Sequence, residues 1–179
     1  MKTMDHVGEM EKICDGLKIS MTPQWLYVSV EEQRMYYYSR NRLERIYAIS
    51  TARKGINQIR DSYGTPLGLH TIADKIGGGA PLGTVFIGRQ NKGKIFTEYG
   101  DWETKGYITS RILRLKGLQE GYNLGGNCDT YSRYIYIHGI TDEKKIGTPR
   151  TQGCIGMSNK DVIELFQKIE PDSLILICR

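Results

Sequence analysis

The sequence YIYIHG at residues 134–139 alternates Tyr with Ile and ends in a His-Gly pair. This alternation predicts a β-strand near the core, with His138 at its end. Further along, TQGCI at residues 151–155 places a Gly-Cys pair in a loop. Nucleophilic cysteine chemistry requires a thiol and a base held close together, and these two segments are the best source of both in the chain.

A helix is predicted directly after the Gly-Cys loop. Ser158 is expected to be its N-cap, with Asp161 in the position that a capping box uses. Pro171 follows the predicted helix and ends it. Four apolar residues at helical spacing give the helix one apolar face, namely Val162, Leu165, Phe166 and Ile169.

The rest of the chain predicts a mainly β fold. Short apolar and Tyr-rich runs, separated by Gly, Pro and polar residues, indicate strands at residues 25–30, 34–39, 43–51, 69–72, 84–88, 110–115 and 174–178. The length of 179 residues fits one domain, which we assign to residues 22–179. Residues 1–21 are interpreted as an N-terminal extension that includes a short helix as one option, with His6 exposed to solvent.

The composition argues against several classes of protein. The net charge of +5 comes from scattered basic residues without a nucleic-acid motif, so we expect no nucleic-acid partner. Cysteines 14, 128, 154 and 178 form no CxxC pair, which argues against a zinc ribbon, a redox motif or another metal site. No apolar run reaches the roughly 18 residues that a membrane span needs.

Cys154 is the candidate nucleophile and His138 the candidate base. The carbonyl of Gly139 is expected to accept a hydrogen bond from the imidazole and fix its tautomer. The N–H groups of Gly153 and Cys154 are the candidate oxyanion hole. A nearby helix N-terminus and imidazolium would lower the pKa of the thiol. Spacing alone also leaves open that Cys154 is a buried small hydrophobe and His138 a hydrogen-bonded structural residue.

Taken together, these motifs resemble the catalytic domain of L,D-transpeptidases of the YkuD type. The matching segments are residues 134–139, 146–149, 151–155 and 157–161, with residues 50–51, 65–68 and 75–77 upstream. The similarity spans about residues 23–179. It implies an L,D-transpeptidase-like β-sandwich with one helix beside the catalytic loop, and it implies that no metal or organic cofactor is required.

The same resemblance implies a reaction on peptidoglycan stem peptides. Cys154 would attack the amide bond after the third residue, meso-diaminopimelate, of a donor tetrapeptide and release the terminal D-Ala. The thioester would then pass to an amine acceptor, which defines a transpeptidase. The alternatives are a carboxypeptidase or amidase on muropeptides, with water as acceptor, and an inactive homologue that only binds peptidoglycan.

Two positions depart from the pattern of this family. Gln152 stands where the family usually has His, and Gly156 where it usually has Arg or Asn. Thr151 keeps the expected hydroxyl, and Thr151, Gln152 and Arg150 are expected to contact substrate. Arg150 would then replace the charge that is absent at Gly156. Tyr122 is expected on a lid loop over the cleft.

The resemblance also implies a location in the bacterial cell envelope or periplasm. Residues 1–20 mix charges and lack the apolar segment of a secretory signal, so a cytoplasmic location is the alternative. The sequence implies no particular oligomeric state.

Overall fold

The computed structural model describes residues 5–97 and 107–179, which form ten strands and two helices. In chain order these are α1 (His6–Leu17), β1 (Gln24–Ser29), β2 (Arg34–Ser39), β3 (Arg42–Ala48), β4 (Gly68–Ile76), β5 (Thr84–Ile87), β6 (Gln90–Ile95), β7 (Ile108–Gly117), β8 (Tyr136–Gly139), β9 (Ile155–Met157), α2 (Asn159–Lys168) and β10 (Leu174–Cys178). The mainly β fold predicted from the sequence is confirmed, with α1 as a second helix. No helix in these two ranges is long and apolar enough to cross a membrane.

The strands form one mixed sheet that branches. Eight of them follow the order β3-β2-β1-β10-β4-β7-β5-β6, while β8 pairs with β7 and β9 pairs with β8. The β1–β10 and β8–β9 pairs are parallel. Thr109 of β7 is the branch point, because its register partners are Val85 of β5 and Gly139 of β8. The branch places β8 and β9, which carry the candidate site, apart from the main path of strands.

The main core lies between the central strands, β8 and α2. Leu26 of β1, Ile175 of β10, Ile137 of β8 and Leu165 of α2 are all fully buried in it. Burying a side chain of this size stabilises the folded state by about 1.5–3 kcal/mol. The packing that stabilises the domain therefore also fixes the strand that carries His138.

Helix α2 begins as the sequence predicts. The Ser158 hydroxyl accepts a hydrogen bond from the Asp161 N–H at 3.1 Å, which satisfies one of the free N–H groups of the first turn. The Asn159 side chain donates to the carbonyl of Ile140 at 3.0 Å. Ile140 directly follows β8, so this bond joins the start of the helix to the end of the site-bearing strand.

Helix α1 packs against the opposite face of the sheet. Its Met10 and Cys14 are buried against Trp25 and Tyr27 of β1 in a second hydrophobic cluster. The expectation that His6 is exposed is wrong, because its side chain is buried and its ring stacks on Tyr27 at 3.9 Å. Alternate residues of β1 thus face the main core and the α1 cluster, and β1 is buried on both faces.

Two strands are absent from the sequence prediction. All six residues of β6 are exposed, so this strand carries no apolar alternation to detect. Strand β9 has only three residues, Ile155–Met157, and so short a segment shows no recognisable alternation of apolar and polar residues. Strand β9 bears on the candidate site because Cys154 immediately precedes it.

Candidate active site

Strand pairing brings the Gly-Cys loop alongside the His-Gly strand. In the parallel register, Ile137 lies opposite Ile155 and His138 opposite Gly156. Cys154, which directly precedes β9, therefore lies beside Tyr136. Tyr136 and His138 are two residues apart on β8 and point to the same face. The sulfur and the imidazole thus approach one face of the sheet from neighbouring strands.

The sulfur of Cys154 is held by two backbone groups. The Tyr136 N–H donates to Sγ at 3.4 Å, and the thiol donates to the carbonyl of Tyr134 at 3.5 Å. The thiol proton therefore points to this carbonyl in the resting structure, and within the described ranges no hydrogen bond joins Sγ to the His138 ring. Such catalytic bonds often form only when substrate is bound.

The tautomer of His138 follows from its partner. Nδ1 lies 2.8 Å from the carbonyl oxygen of Gly139, and a carbonyl can only accept, so Nδ1 carries the proton. Nε2 is left with its lone pair, as a base requires. Burial lowers the pKa of His138, partly opposed by the bond to Gly139, and this keeps the ring neutral at neutral pH.

The thiol differs from the sequence-based expectation. Burial raises the pKa of Cys154 to about 11, although the Tyr136 N–H and the charge of Arg133 both act to lower it. The expected lowering by a helix N-terminus is wrong, because β9 separates Cys154 from α2, which begins at Asn159. The resting pair is therefore a neutral thiol and a neutral imidazole.

The loop before Cys154 has a backbone that suits an oxyanion site. Gly153 has φ +118°, a conformation that favours glycine. Its carbonyl accepts from the Thr65 hydroxyl at 3.0 Å, and the Cys154 carbonyl accepts from the Thr151 hydroxyl at 2.5 Å. Among residues 5–97 and 107–179, neither the Gly153 N–H nor the Cys154 N–H donates to a protein acceptor. Cys154 lines the adjoining cleft, whereas Gly153 is buried and is not part of its lining.

A cleft of about 960 Å³ opens on this loop. It brings together most of the residues predicted for the site, namely His138, Arg150, Thr151, Gln152 and Cys154. Tyr134 and Tyr136 also line it, so the two backbone partners of the sulfur contribute their rings to the wall. The cleft thus combines the candidate nucleophile and the candidate base with a partly aromatic surface.

The prediction that Tyr122 covers the cleft is wrong. Tyr122 is half-exposed and does not line the cleft. Its neighbour Asn123 is fully buried and donates through its side chain to the carbonyls of Leu67 and Leu69 at 3.0 and 3.1 Å. These bonds hold the Tyr122 loop against the start of β4, away from the cleft.

The structure adds Arg133, which sequence analysis did not single out. Its guanidinium donates to the carbonyls of Gln58 and Gly64 at 2.9 and 2.8 Å, and to the Ser62 hydroxyl at 3.4 Å. Its charge also acts on the Cys154 sulfur. Arg133 directly precedes the YIYIHG segment. A positively charged residue next to the strand that carries His138 was the sequence signal that could have identified it.

Comparison with known proteins agrees with these observations. A model of the family described as the L,D-transpeptidase catalytic domain, YkuD, matches residues 23–177. An L,D-transpeptidase from Mycobacterium smegmatis aligns with a TM-score of 0.54 at 12% identity, over 88% of this chain and 59% of that one. L,D-transpeptidase 3 from Mycobacterium tuberculosis, with a faropenem-derived adduct, aligns with a TM-score of 0.56 at 13% identity, over 88% and 60% of the two chains.

An L,D-transpeptidase from Xylanimonas cellulosilytica also aligns, with a TM-score of 0.54 at 14% identity, over 89% of this chain and 62% of that one. At these identities the structural likeness establishes the fold alone. The chain spans about three fifths of the length of these solved structures. No curated protein sequence matches the chain.

Proposed function

Because this chain belongs to the family of L,D-transpeptidase catalytic domains, we propose that it transfers acyl groups between peptidoglycan stem peptides through a Cys154 thioester. The observation that carries the proposal is the parallel pairing of β8 with β9, which brings Cys154 alongside His138. The Cys154 sulfur, held between two backbone groups, lies on the same face of the sheet as the His138 side chain. The Nδ1–H of His138 donates to Gly139, so its Nε2 is free to accept a proton.

The acylation step follows from these groups. The thiol turns from the Tyr134 carbonyl towards Nε2 of His138, which takes the proton as Sγ attacks the peptide carbonyl carbon. The carbonyl oxygen becomes an oxyanion that accepts from the N–H groups of Gly153 and Cys154. When the C–N bond breaks, the imidazolium returns its proton to the departing amine of D-Ala. The product is a thioester on Cys154.

In the second step an acceptor amine attacks the thioester carbon. His138 takes a proton from the amine, a new amide bond forms, and the C–S bond breaks to restore the thiol. If water takes the place of the amine, the same residues yield a carboxypeptidase. Thr151, Gln152 and Arg150, on the cleft wall, are proposed to contact the donor peptide. The cell envelope is the proposed location, because the substrate is there.

The nucleophile is tested with a carbapenem and intact-protein mass spectrometry. Wild-type protein is expected to gain the mass of the opened β-lactam, and Cys154→Ala is expected to gain nothing while keeping its fold. Cys128→Ala is the matched control, because Cys128 is a free thiol that does not line the cleft. An adduct that persists in Cys154→Ala would overturn the assignment.

The base and the acceptor need separate measurements. His138→Gln is expected to slow acylation by about 100- to 10,000-fold, the usual contribution of a general base. Wild-type rates in that variant would remove His138 from the mechanism. The protein is then incubated with a tetrapeptide muropeptide, with and without an added amine, and the products are identified by mass spectrometry. An amide of the added amine shows transfer, and a free tripeptide shows hydrolysis. Binding to sacculi without any thiol adduct would indicate an inactive homologue.

A further inference from the structure

Arg53 and Arg150 are held at the cleft by backbone hydrogen bonds of the loop at residues 150–154, which carries Cys154. The Arg53 N–H donates to the Thr151 carbonyl at 3.0 Å, and the Arg150 N–H donates to the Thr51 carbonyl at 2.8 Å. The segments around Thr51 and Thr151 thus run side by side, with one arginine on each. Both arginines are exposed and both line the cleft that contains Cys154.

The charge of these arginines is not balanced by nearby acids. Asp142 is the one carboxylate on the described wall of the cleft, and it pairs with Lys145 at 2.5 Å. Within residues 5–97 and 107–179, no carboxylate lies within 4.0 Å of the guanidinium of Arg53 or Arg150. A guanidinium is always charged in proteins, so the cleft carries two uncompensated positive charges.

The site beside the nucleophile is therefore built for an anion. A guanidinium presents planar, paired N–H donors that match the two oxygens of a carboxylate. We infer that Arg53 and Arg150 form a carboxylate subsite that selects donor peptides carrying a free carboxylate near the bond that Cys154 attacks. This inference rests on the proposed function for the identity of the peptide, whereas the presence of the anion site can be tested independently of it.

The first experiment measures the field at the sulfur with two alkylating reagents. The Cys154 thiolate attacks the carbon of either iodoacetate or iodoacetamide, so that a C–S bond forms and iodide is released into solution, but only iodoacetate is an anion. The rate at Cys154 is followed by peptide mapping, and the ratio of iodoacetate to iodoacetamide rates reports the local charge. Coulomb attraction from a charge about 6 Å away in a water-like medium corresponds to about a 3-fold effect on this ratio.

Arg53→Gln and Arg150→Gln are each expected to lower the ratio by about 3-fold, and the double variant by about 10-fold. High salt should shrink these differences, because exposed charges are screened. Arg42→Gln is the control, since Arg42 is an exposed arginine on β3 outside the cleft and removes the same charge. Equal ratios in wild-type protein and the double variant would overturn the subsite.

The second experiment compares a tetrapeptide donor with its analogue in which the diaminopimelate carboxylate is an amide. In the double variant, the ratio of kcat/KM for the acid to kcat/KM for the amide is expected to fall about 10-fold. An equal loss for both peptides would show a merely structural role. If neither peptide reacts even with wild-type protein, the proposed function fails, while the alkylation ratio still decides whether the anion site exists.

Discussion

The Arg133 guanidinium donates to the Gly64 carbonyl oxygen at 2.8 Å, and this oxygen lies 3.1 Å from the position that a Cβ on Gly153 would occupy. The segment that Arg133 holds is thus in contact with the loop that contains Gly153 and Cys154. The neighbouring Thr65 hydroxyl bonds to the Gly153 carbonyl. One half-buried cation therefore fixes residues 58–64 behind the loop and also places a positive charge near the Cys154 sulfur.

Removing the positive charge of Arg133 should lower the fraction of Cys154 that is thiolate at a given pH. In Arg133→Gln, alkylation of Cys154 by iodoacetamide at pH 9 is expected to fall about 10-fold, because the loss of an opposite charge raises the pKa of a thiol by about one or more. Arg133→Lys should recover part of the rate, since lysine keeps the charge without the planar fork of donors.

The matched control for this prediction is Arg60→Gln, which removes an exposed arginine that donates to the Ser132 hydroxyl. Thermal unfolding is measured in parallel, so that a loosened loop is not mistaken for an electrostatic effect. A rate in Arg133→Gln equal to that of wild-type protein, with the fold retained, would show that Arg133 does not act on the sulfur.

The ionisation of Cys154 gives a second prediction. Because burial raises the pKa of this thiol to about 11, the thiolate is scarce at neutral pH. Alkylation by iodoacetamide should therefore rise about 10-fold per pH unit from pH 7 to about pH 10, without a plateau. The rate is measured at Cys154 by peptide mapping, with Cys154→Ala as the blank. A plateau between pH 6 and 8 would instead reveal a thiolate–imidazolium pair at rest.

Restoring the arginine at Gly156 should harm this protein. A Cβ at Gly156 would lie 2.8 Å from Cγ2 of Ile140 and 3.6 Å from Cβ of Ser50, so the space for a long side chain is already filled. Gly156→Arg is expected to lower the free energy of unfolding by about 1–3 kcal/mol, the usual cost of overpacking. Urea unfolding measures this change. Gly156→Ala, whose Cβ is too close only to Cγ2 of Ile140 and makes ordinary contacts with Thr151 and Ser50, should cost less.

His70 predicts how stability depends on pH. Its Nδ1–H donates to the Gly68 carbonyl at 2.9 Å, and its Nε2 accepts from the Thr130 hydroxyl at 3.0 Å. Burial lowers the pKa of this fully buried ring to about 4, from about 6.5 in an unfolded chain. The unfolded state therefore binds the proton more readily, and stability present above pH 6.5 is lost as the pH falls towards 4.

The expected loss from His70 is roughly 3 kcal/mol over this range. Urea unfolding at several pH values measures it. His70→Gln keeps the capacity to donate and accept, so it should flatten the pH dependence between pH 6.5 and 4. His138 also has a lowered pKa and contributes in the same direction, so His138→Gln serves as the comparison. An unchanged slope in His70→Gln would contradict this assignment.

Local signals in the sequence were sufficient for much of the site. The alternation before His138 predicts β8, and the Ser158 cap with the apolar spacing after it predicts α2, because both patterns are set by neighbours in the chain. The Gly139 contact follows the same logic, since it joins adjacent residues. Such features are encoded within a few positions.

Features that depend on distant segments could not be predicted. The pKa of Cys154 is raised by burial in the folded chain, and Arg53 reaches the cleft only because its backbone bonds to Thr151, almost a hundred residues away in the chain. The position of Tyr122 was predicted wrongly for the same reason. The Asn123 side chain binds the carbonyls of Leu67 and Leu69, and no local sequence pattern predicts these hydrogen bonds.

The aromatic face beneath α1 has a practical consequence for anyone who shortens this protein. Trp25 stacks on Tyr38 at 4.0 Å, and both are nearly inaccessible to solvent with α1 in place. A recombinant fragment that starts at residue 22 would present this stack to water, and an uncovered apolar patch of that kind promotes aggregation. Expression boundaries and affinity tags should therefore be chosen to leave residues 5–21 intact.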